Sequence, residues 1–190
     1  MNVHAPSRPA TLSHEARLDR LAEVAVKVGL GLKPGQEVIV TSPLEGLDLV
    51  RRVTEHAYRA GASLVTTIFS DEVATLMRYQ HGADEGFDTA TGWLFDGMAT
   101  AYKNGAARLA IYGENPSLLS GQDPEKVARA NRARSKAYVP ALEQIVNYVT
   151  NWTILSCATP SWAPGCASAA RRCWTAAPRM RRRSWAASTP

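Results

Sequence analysis

Residues 107–131 read ARLAIYGENPSLLSGQDPEKVARAN, and they predict a strand, a loop and a helix in that order. Residues 108–112 are short, mostly apolar and flanked by glycines, which is typical of a buried strand. Pro116 lacks the N–H that a β-ladder needs, so the strand ends before it. Asp123 can cap a helix, and Pro124 suits its first position. The loop therefore lies at the C-terminal end of a strand, where open α/β sheets usually carry their sites.

The flanking sequence repeats this alternation of strand and helix. Residues 37–41 (EVIVT) and 64–69 (LVTTIF) are rich in β-branched side chains and predict strands. A helical pattern over 46–60 separates them, and Gly61 ends that helix. Residues 152–157 (WTILSC) predict a fourth strand. We expect an α/β fold: a mostly parallel sheet of about four strands with helices on both faces.

Two helices are predicted from their caps. Ser13 can cap a helix that runs to about Val28, where Gly29 and Gly31 end it. Ser70 can cap another, with acidic residues in its first turn.

Two more helices are predicted from apolar spacing. Residues 91–103 predict a helix whose core side chains are Trp93, Leu94, Met98 and Tyr102. The helix that begins at Pro124 runs towards residue 149, and Pro140 either kinks it or divides it.

Composition divides the chain into three segments. Residues 1–12 form a polar, flexible lead, and residues 13–156 form the α/β domain. Residues 157–190 form a basic, low-complexity tail of nine residue types, with six arginines and no acidic residue. The chain has 22 Lys and Arg against 17 Asp and Glu, so its formal charge of +5 comes from the tail. The domain itself has no basic surface typical of nucleic-acid binding.

The tail permits three interpretations. It can be the product of a frameshift in a GC-rich gene, because Ala, Arg, Pro and Gly have GC-rich codons. It can be an ordinary disordered tail, because it has no aliphatic Leu, Ile or Val. It can also be an arm for nucleic acid, with residues 181–183 as an arginine cluster and tryptophans for stacking.

The sequence predicts neither membrane insertion nor secretion. No run of about 18 apolar residues occurs, so we expect no membrane span. The N-terminus lacks the apolar segment of a signal peptide, so we expect a cytoplasmic protein.

Polar residues follow the first three predicted strands and are our candidates for lining a cleft: Glu45, Asp71, Glu114 and Asn115. In a parallel sheet these loops share one edge, and carboxylates there can hold a cation or a substrate amine. The structural alternative is that Ser70 and Asp71 cap a helix and that Glu114 and Asn115 only terminate a strand.

Metal and nucleotide motifs are not apparent. The three cysteines, Cys157, Cys166 and Cys173, lack the paired spacing of a zinc site, and the four histidines are expected at the surface. Neither G-x-G-x-x-G nor G-x-x-x-x-G-K-[ST] occurs, which disfavours a nucleotide-binding enzyme.

Several segments together resemble the N-terminal half of the M29 metallo-aminopeptidases. The first is LKPGQEVIVTSPLEGLDLVRRVTEHAYRAGASLV at 32–65, and the second is ARLAIYGENPSLLSGQDPEK at 107–126. ARANRARSKAYVPALE, NWTI and ATPSWA follow in order. The resemblance covers about 18–162, and it supports the α/β prediction.

The resemblance implies metal-dependent release of N-terminal amino acids from peptides, with divalent Co, Zn or Mn in the full-length family. It also implies a peptide substrate and a homodimer. The family's metal ligands and catalytic residues lie in its C-terminal half, which has no counterpart here. We therefore assign no catalytic or metal-binding residue to this chain, expect no metal bound to it, and expect it to be inactive alone. The alternative is a stand-alone α/β module with an Arg-rich nucleic-acid-binding tail.

Overall fold

The computed structural model describes residues 12–157 and Thr159. Its centre is one sheet of four parallel strands in the order β2-β1-β3-β4. The strands are β1 Glu37–Pro43, β2 Leu64–Ser70, β3 Ala107–Tyr112 and β4 Trp152–Ser156. The α-helices are α1 His14–Val24, α2 Leu47–Arg59, α3 Glu72–His81, α4 Gly92–Lys103 and α5 Pro124–Val146. A π-helical segment, Ala25–Leu30, extends α1, and 3₁₀ turns lie at Leu44–Gly46 and Asp84–Asp88.

The alternation of side chains in β1 builds two apolar layers, one on each face of the sheet. Val38 and Val40 pack with Leu109 of β3 against α1 and α2. Ile39 points to the opposite face and packs against α4 and α5. Because both faces are covered, the strands can be apolar throughout. The predicted α/β fold, with four parallel strands and helices on both faces, is confirmed.

The strand order reverses direction at β1. From β1 the chain moves outward to β2, then returns past β1 to β3 and continues to β4. Residues 38–41 of β1 pair with residues 107–110 of β3, so these two strands are neighbours at the reversal. In open α/β sheets the connections diverge at such a point and leave a crevice beyond the C-terminal ends of the strands.

The end of the first helix differs from the prediction. Ser13 does cap α1, because its side chain accepts the N–H of Ala16. Gly29, however, does not end the helix but lies inside the π-helical segment, and Gly31 ends it with φ 58°. A Cβ on Gly29 would lie 2.8 Å from Thr153 Oγ1. Gly29 therefore allows close packing on β4, a requirement that the local sequence does not show.

The core face of α4 is rotated from the predicted one. Trp93 was predicted in the core, but its side chain is 76% exposed, while Phe95 is buried instead. Phe95, Met98 and Tyr102 follow the i, i+3, i+7 spacing of one helical face. Trp93 lies off that face, which is why the prediction for it is wrong.

The long helix α5 passes through Pro140 without being divided, so a division of the helix at Pro140 is the wrong one of the two predicted possibilities. It ends at Val146, three residues before the predicted end. Tyr148 has φ 55°, and the N–H of Val149 bonds the carbonyl of Gln144. A left-handed residue followed by this bond is a common helix terminator.

Helix α3 depends on its cap. Asp71, not Ser70, is the N-cap, because its side chain accepts the N–H groups of Val73 and Ala74, whereas Ser70 is the last residue of β2. No residue of α3 is buried, so apolar packing stabilises this helix little.

Replacing Asp71 with Ala should therefore destabilise α3 by about 0.5–2 kcal/mol, the usual contribution of an N-cap. We expect faster amide hydrogen exchange in α3 with little change in β3. The matched control is Asp71→Asn, which keeps a capping oxygen and should restore most of the protection. Equal exchange in Asp71→Ala and the wild type would contradict the assignment of this cap.

Candidate functional site

The candidate site lies at the C-terminal edge of the sheet, where the parallel strands bring their following loops together. The segments after β1, β2 and β3 carry the four predicted residues Glu45, Asp71, Glu114 and Asn115. The structure places all four at this edge, but only Asn115 is hydrogen-bonded to the segment that follows another strand.

Glu114 and Asn115 form an ordered turn that is tied to α3. The N–H of Asn115 donates to Glu72 Oε1 at 2.5 Å, and the side-chain oxygen of Asn115 accepts the N–H of Ser117 at 2.9 Å. Glu114 Oε2 accepts the N–H of Gly113 at 3.1 Å. The loops after β2 and β3 therefore meet beyond the end of β1. Both Glu114 and Asn115 are half-buried, so each still has a surface facing solvent.

The other two predicted residues are placed differently. The carboxylate of Asp71 is used as the cap of α3. Glu45 is exposed in the 3₁₀ turn after β1, and it has no hydrogen bond or ion pair with another residue in the described range. No hydrogen bond joins either side chain to Glu114 or Asn115 within that range. Their role in lining a cleft stays a prediction.

Close packing fixes the backbone at the ends of β1 and β3. A Cβ on Gly46 would lie 2.4 Å from Ser42 Oγ, and one on Gly113 would lie 2.6 Å from the carbonyl oxygen of Cys157. The hydroxyl of Thr159 donates to the carbonyl of Gly113. The small residues at 46 and 113 thus let neighbouring loops approach one another.

Burial is the main cause that raises the pKa of the Cys157 thiol, and the negative charge of Asp48 adds to it. The thiol is therefore less reactive than an ordinary exposed cysteine at neutral pH.

One histidine differs from the prediction. His56 is buried, at 7% exposure, and its Nε2 lies 3.0 Å from Asp19 Oδ1, so it joins α2 to α1 rather than lying at the surface. His14 and His81 are exposed as predicted, and His4 lies outside the described residues.

The described residues do not fit a metal centre. Across 12–157 and Thr159, no group of three or more His, Cys, Asp or Glu side chains is placed to hold a metal ion. We therefore derive no step of a reaction through a metal from these residues.

A second concave feature lies beside the edge, between α3, the Asp84–Asp88 turn, α4 and α5. Its volume is about 480 Å³. Its lining residues are Arg78, Gly86, Thr89, Ala90, Thr91, Trp93, Phe95 and Arg134. We call it the Arg78–Arg134 pocket. Arg78 is six residues from Glu72, about 9 Å along the axis of α3 at 1.5 Å per residue.

Next to this pocket, Arg129 holds the Asp84–Asp88 turn against α5. Its guanidinium bonds Asp84 Oδ2 at 2.7 Å and Asp88 at 2.5–3.0 Å. The hydrogen bond from Arg129 lowers the pKa of the Asp88 carboxyl below its ordinary value. Two of the three carboxylates of the turn, those of Asp84 and Asp88, are therefore engaged by Arg129.

The family of the chain follows from a comparison with known families. The family model described as thermophilic metalloprotease (M29) matches residues 14–182. The chain belongs to the M29 family. The match extends past residue 162, where we expected the resemblance to end, and into the basic tail. The change of composition at 157 therefore does not mark the end of family-like sequence.

Relatives of this M29 chain include two named aminopeptidase T. One, from Thermus thermophilus, is 50% identical over 165 residues, covering 84% of this chain and 40% of the relative. The other, from Thermus aquaticus, is 47% identical over 77% of this chain and 36% of the relative. A solved structure described as wild-type AmpT from Thermus thermophilus matches with a TM-score of 0.78 at 48% identity, covering 86% of this chain and 43% of that one. The M29 chain thus spans about 40% of the length of these relatives.

Some predictions for this M29 chain fall outside what the structure describes. Among the described residues, no helix is long and apolar enough to cross a membrane. Of the predicted flexible lead 1–12, only Leu12 is described, and of the tail 157–190, only Cys157 and Thr159. The three interpretations of the tail, including the nucleic-acid-binding arm, stay predictions.

Part of this site could be predicted from the sequence. The loop at 114–115 could be placed from the strand that precedes it. The bond between this loop and Glu72 could not be predicted. The sequence predicts the start of the helix one position too early, so it does not show that Asp71 caps the helix while Glu72 contacts the loop. The Arg78–Arg134 pocket was missed, because its residues come from three helices and the segment between α3 and α4, and they form no motif.

Proposed function

We propose that this chain is the N-terminal α/β half of an M29 metal-dependent aminopeptidase, which releases N-terminal amino acids from peptides. The observation that carries the proposal is the match at 50% identity to aminopeptidase T over 84% of this chain. We also propose that the 190 residues alone do not perform the reaction, because the family's metal ligands are implied to lie in the part that this chain does not cover.

An exposed apolar surface on the chain supports the need for a second half. On α5, Val139, Leu142 and Val146 are spaced along one side of the helix and are exposed. On β4, Trp152 and Ile154 face the side of the sheet that carries α5, and they are also exposed. Apolar surface of this kind in a folded domain usually marks an interaction site. We propose that the remaining half of the aminopeptidase packs here.

The other family properties are proposals for the full-length protein. We propose that two divalent ions, Co, Zn or Mn, are held by its C-terminal half and activate a water molecule. We further propose a peptide substrate, a homodimeric assembly and a cytoplasmic location. The mass of the full-length protein in solution, measured by light scattering, would test the homodimer.

The purified 190-residue chain should show no metal-dependent turnover. The test offers leucine p-nitroanilide with Co²⁺, Zn²⁺ or Mn²⁺ in turn and follows nitroaniline release. Aminopeptidase T from Thermus thermophilus under the same conditions is the positive control. Metal-dependent release that co-elutes with the chain on a sizing column would overturn the proposed inactivity.

A further inference from the structure

The Arg78–Arg134 pocket contains two cations without carboxylate partners. Neither Arg78 nor Arg134 forms an ion pair with any residue in the described part of the chain, although both line the same cavity of about 480 Å³. Arg129, which precedes Arg134 on α5, is by contrast paired with Asp84 and Asp88. Asp84 and Asp88 are therefore already engaged, whereas Glu85 of the same turn is exposed and does not line the pocket. The residues that line the pocket include two arginines and no acid, so the lining has a net positive charge.

Arg78 is held in position rather than left free. Its Nη2 donates to the carbonyls of Gly86 at 2.8 Å and Thr89 at 3.0 Å, and its guanidinium lies 5.7 Å from the centre of the Phe87 ring. These contacts are all neutral, so they fix the cation without neutralising it. The N–H groups of Nε and Nη1 remain for another acceptor.

The start of α4 lies at the same pocket. Its N-cap Thr91 makes no side-chain cap hydrogen bond, and Ala90, Thr91 and Trp93 line the cavity. Most N–H groups of the first turn already bond the carbonyls of Ala90 and Thr91, so the positive end of the helix dipole is what favours an anion at this position. The two arginines are the main reason to expect an anion in this pocket, and the helix terminus adds to it.

Trp93 supplies an apolar wall. Trp93 is 76% exposed and lines the pocket together with the buried Phe95, while the other lining residues are polar or small. An exposed indole beside guanidinium groups fits a ligand that joins an apolar or aromatic group to an anion.

We propose that the Arg78–Arg134 pocket binds the free carboxylate at the C-terminus of a short peptide, with the terminal side chain against Trp93. This inference rests on the proposed peptide substrate, and it adds to that function a site that favours short peptides with a free C-terminus. The guanidinium of Arg134 and the remaining N–H groups of Arg78 bond the carboxylate, as arginine commonly does in proteins.

The test compares N-acetylphenylalanine with its neutral amide, using the full 190-residue chain. Binding is followed through the NMR signal of the Trp93 indole N–H, assigned with a Trp93→Phe variant. We expect saturable binding of the acid and at least about tenfold weaker binding of the amide, because a charge-assisted hydrogen bond is lost. Inorganic phosphate serves as the probe for a general anion site and should bind more weakly than the acid.

Arg134→Gln should weaken binding of the acid about tenfold or more. The matched control is Arg132→Gln on the same helix, an exposed residue that does not line the pocket, and it should leave binding unchanged. Trp93→Ala is a second variant at an exposed position, and it should reduce affinity for N-acetylphenylalanine more than for acetate. Because this variant lacks the indole signal, its binding is measured by isothermal titration calorimetry, with the wild type measured in the same way. Circular dichroism confirms that each variant is folded.

Equal binding of acid and amide, no binding of either, tighter binding of phosphate, or equal losses at Arg132 and Arg134 would each overturn the proposal. The experiment measures binding by this chain and needs no turnover. If the carboxylate binds but no aminopeptidase activity can be reconstituted, only the proposed function fails. If activity is reconstituted without carboxylate binding, only the pocket assignment fails.

Discussion

Replacing Leu109 with Ala should lower the free energy of unfolding by about 2–5 kcal/mol, the usual cost of truncating a buried leucine. Leu109 is fully buried on β3, and it packs with the layer formed by α1 and α2. It lies opposite Val40 of β1 and Thr153 of β4, so strands on both sides hold the backbone around it. The cavity left by the missing atoms would therefore be hard to fill by relaxation.

Urea unfolding followed by far-ultraviolet circular dichroism measures this effect. The control is Leu142→Ala on the outer side of α5, where the side chain is exposed and the change should be within about 0.5 kcal/mol. A similar decrease in the free energy of unfolding for Leu109→Ala and Leu142→Ala would show that β3 is not the centre of the core.

Much of the fold could be predicted, because it is encoded locally. The strand at 37–41 is a β-branched run, and the helix after Pro124 carries its cap and first-turn residues in sequence. Since strands alternate with helices, a parallel sheet with crossovers follows from chain connectivity alone.

The errors in the predicted fold arise where tertiary contacts decide. The sequence predicts a helix end at Gly29, yet Gly29 lies within a helical segment, where its lack of a Cβ lets Thr153 approach closely. Trp93 reads as core because it is large and apolar, but Phe95 occupies the face that meets α5 and contacts Tyr138 with ring centres 5.3 Å apart. Neither contact is visible in the sequence near these residues.

The site was predictable to a similar extent. The position of Glu114 and Asn115 follows from the end of β3, which local pattern places well. The hydrogen bond from the Asn115 N–H to Glu72 requires the loops after β2 and β3 to meet across β1, and that depends on strand order. Arg78 and Arg134 are brought together only by the packing of α3, α4 and α5, so no spacing rule could have joined them.

A chimera should recover the activity that we expect this chain alone to lack. In it, residues 14–156 of this chain replace the aligned segment of aminopeptidase T from Thermus thermophilus. The two sequences are 50% identical over 165 residues. The solved structure of AmpT from Thermus thermophilus matches this chain with a TM-score of 0.78. Most contacts to the second half should therefore be kept. The rate should lie within about tenfold of the relative, which allows about 1.4 kcal/mol for imperfect new contacts.

The most direct test of the central claim is the metal-dependent hydrolysis of leucine p-nitroanilide by this chimera. The control is the remaining part of the Thermus thermophilus protein expressed without any N-terminal segment, which should be inactive. Our account predicts that residues 14–156 restore metal-dependent turnover. A chimera that is folded but no more active than the control would contradict the claim that this chain is the N-terminal half of an aminopeptidase.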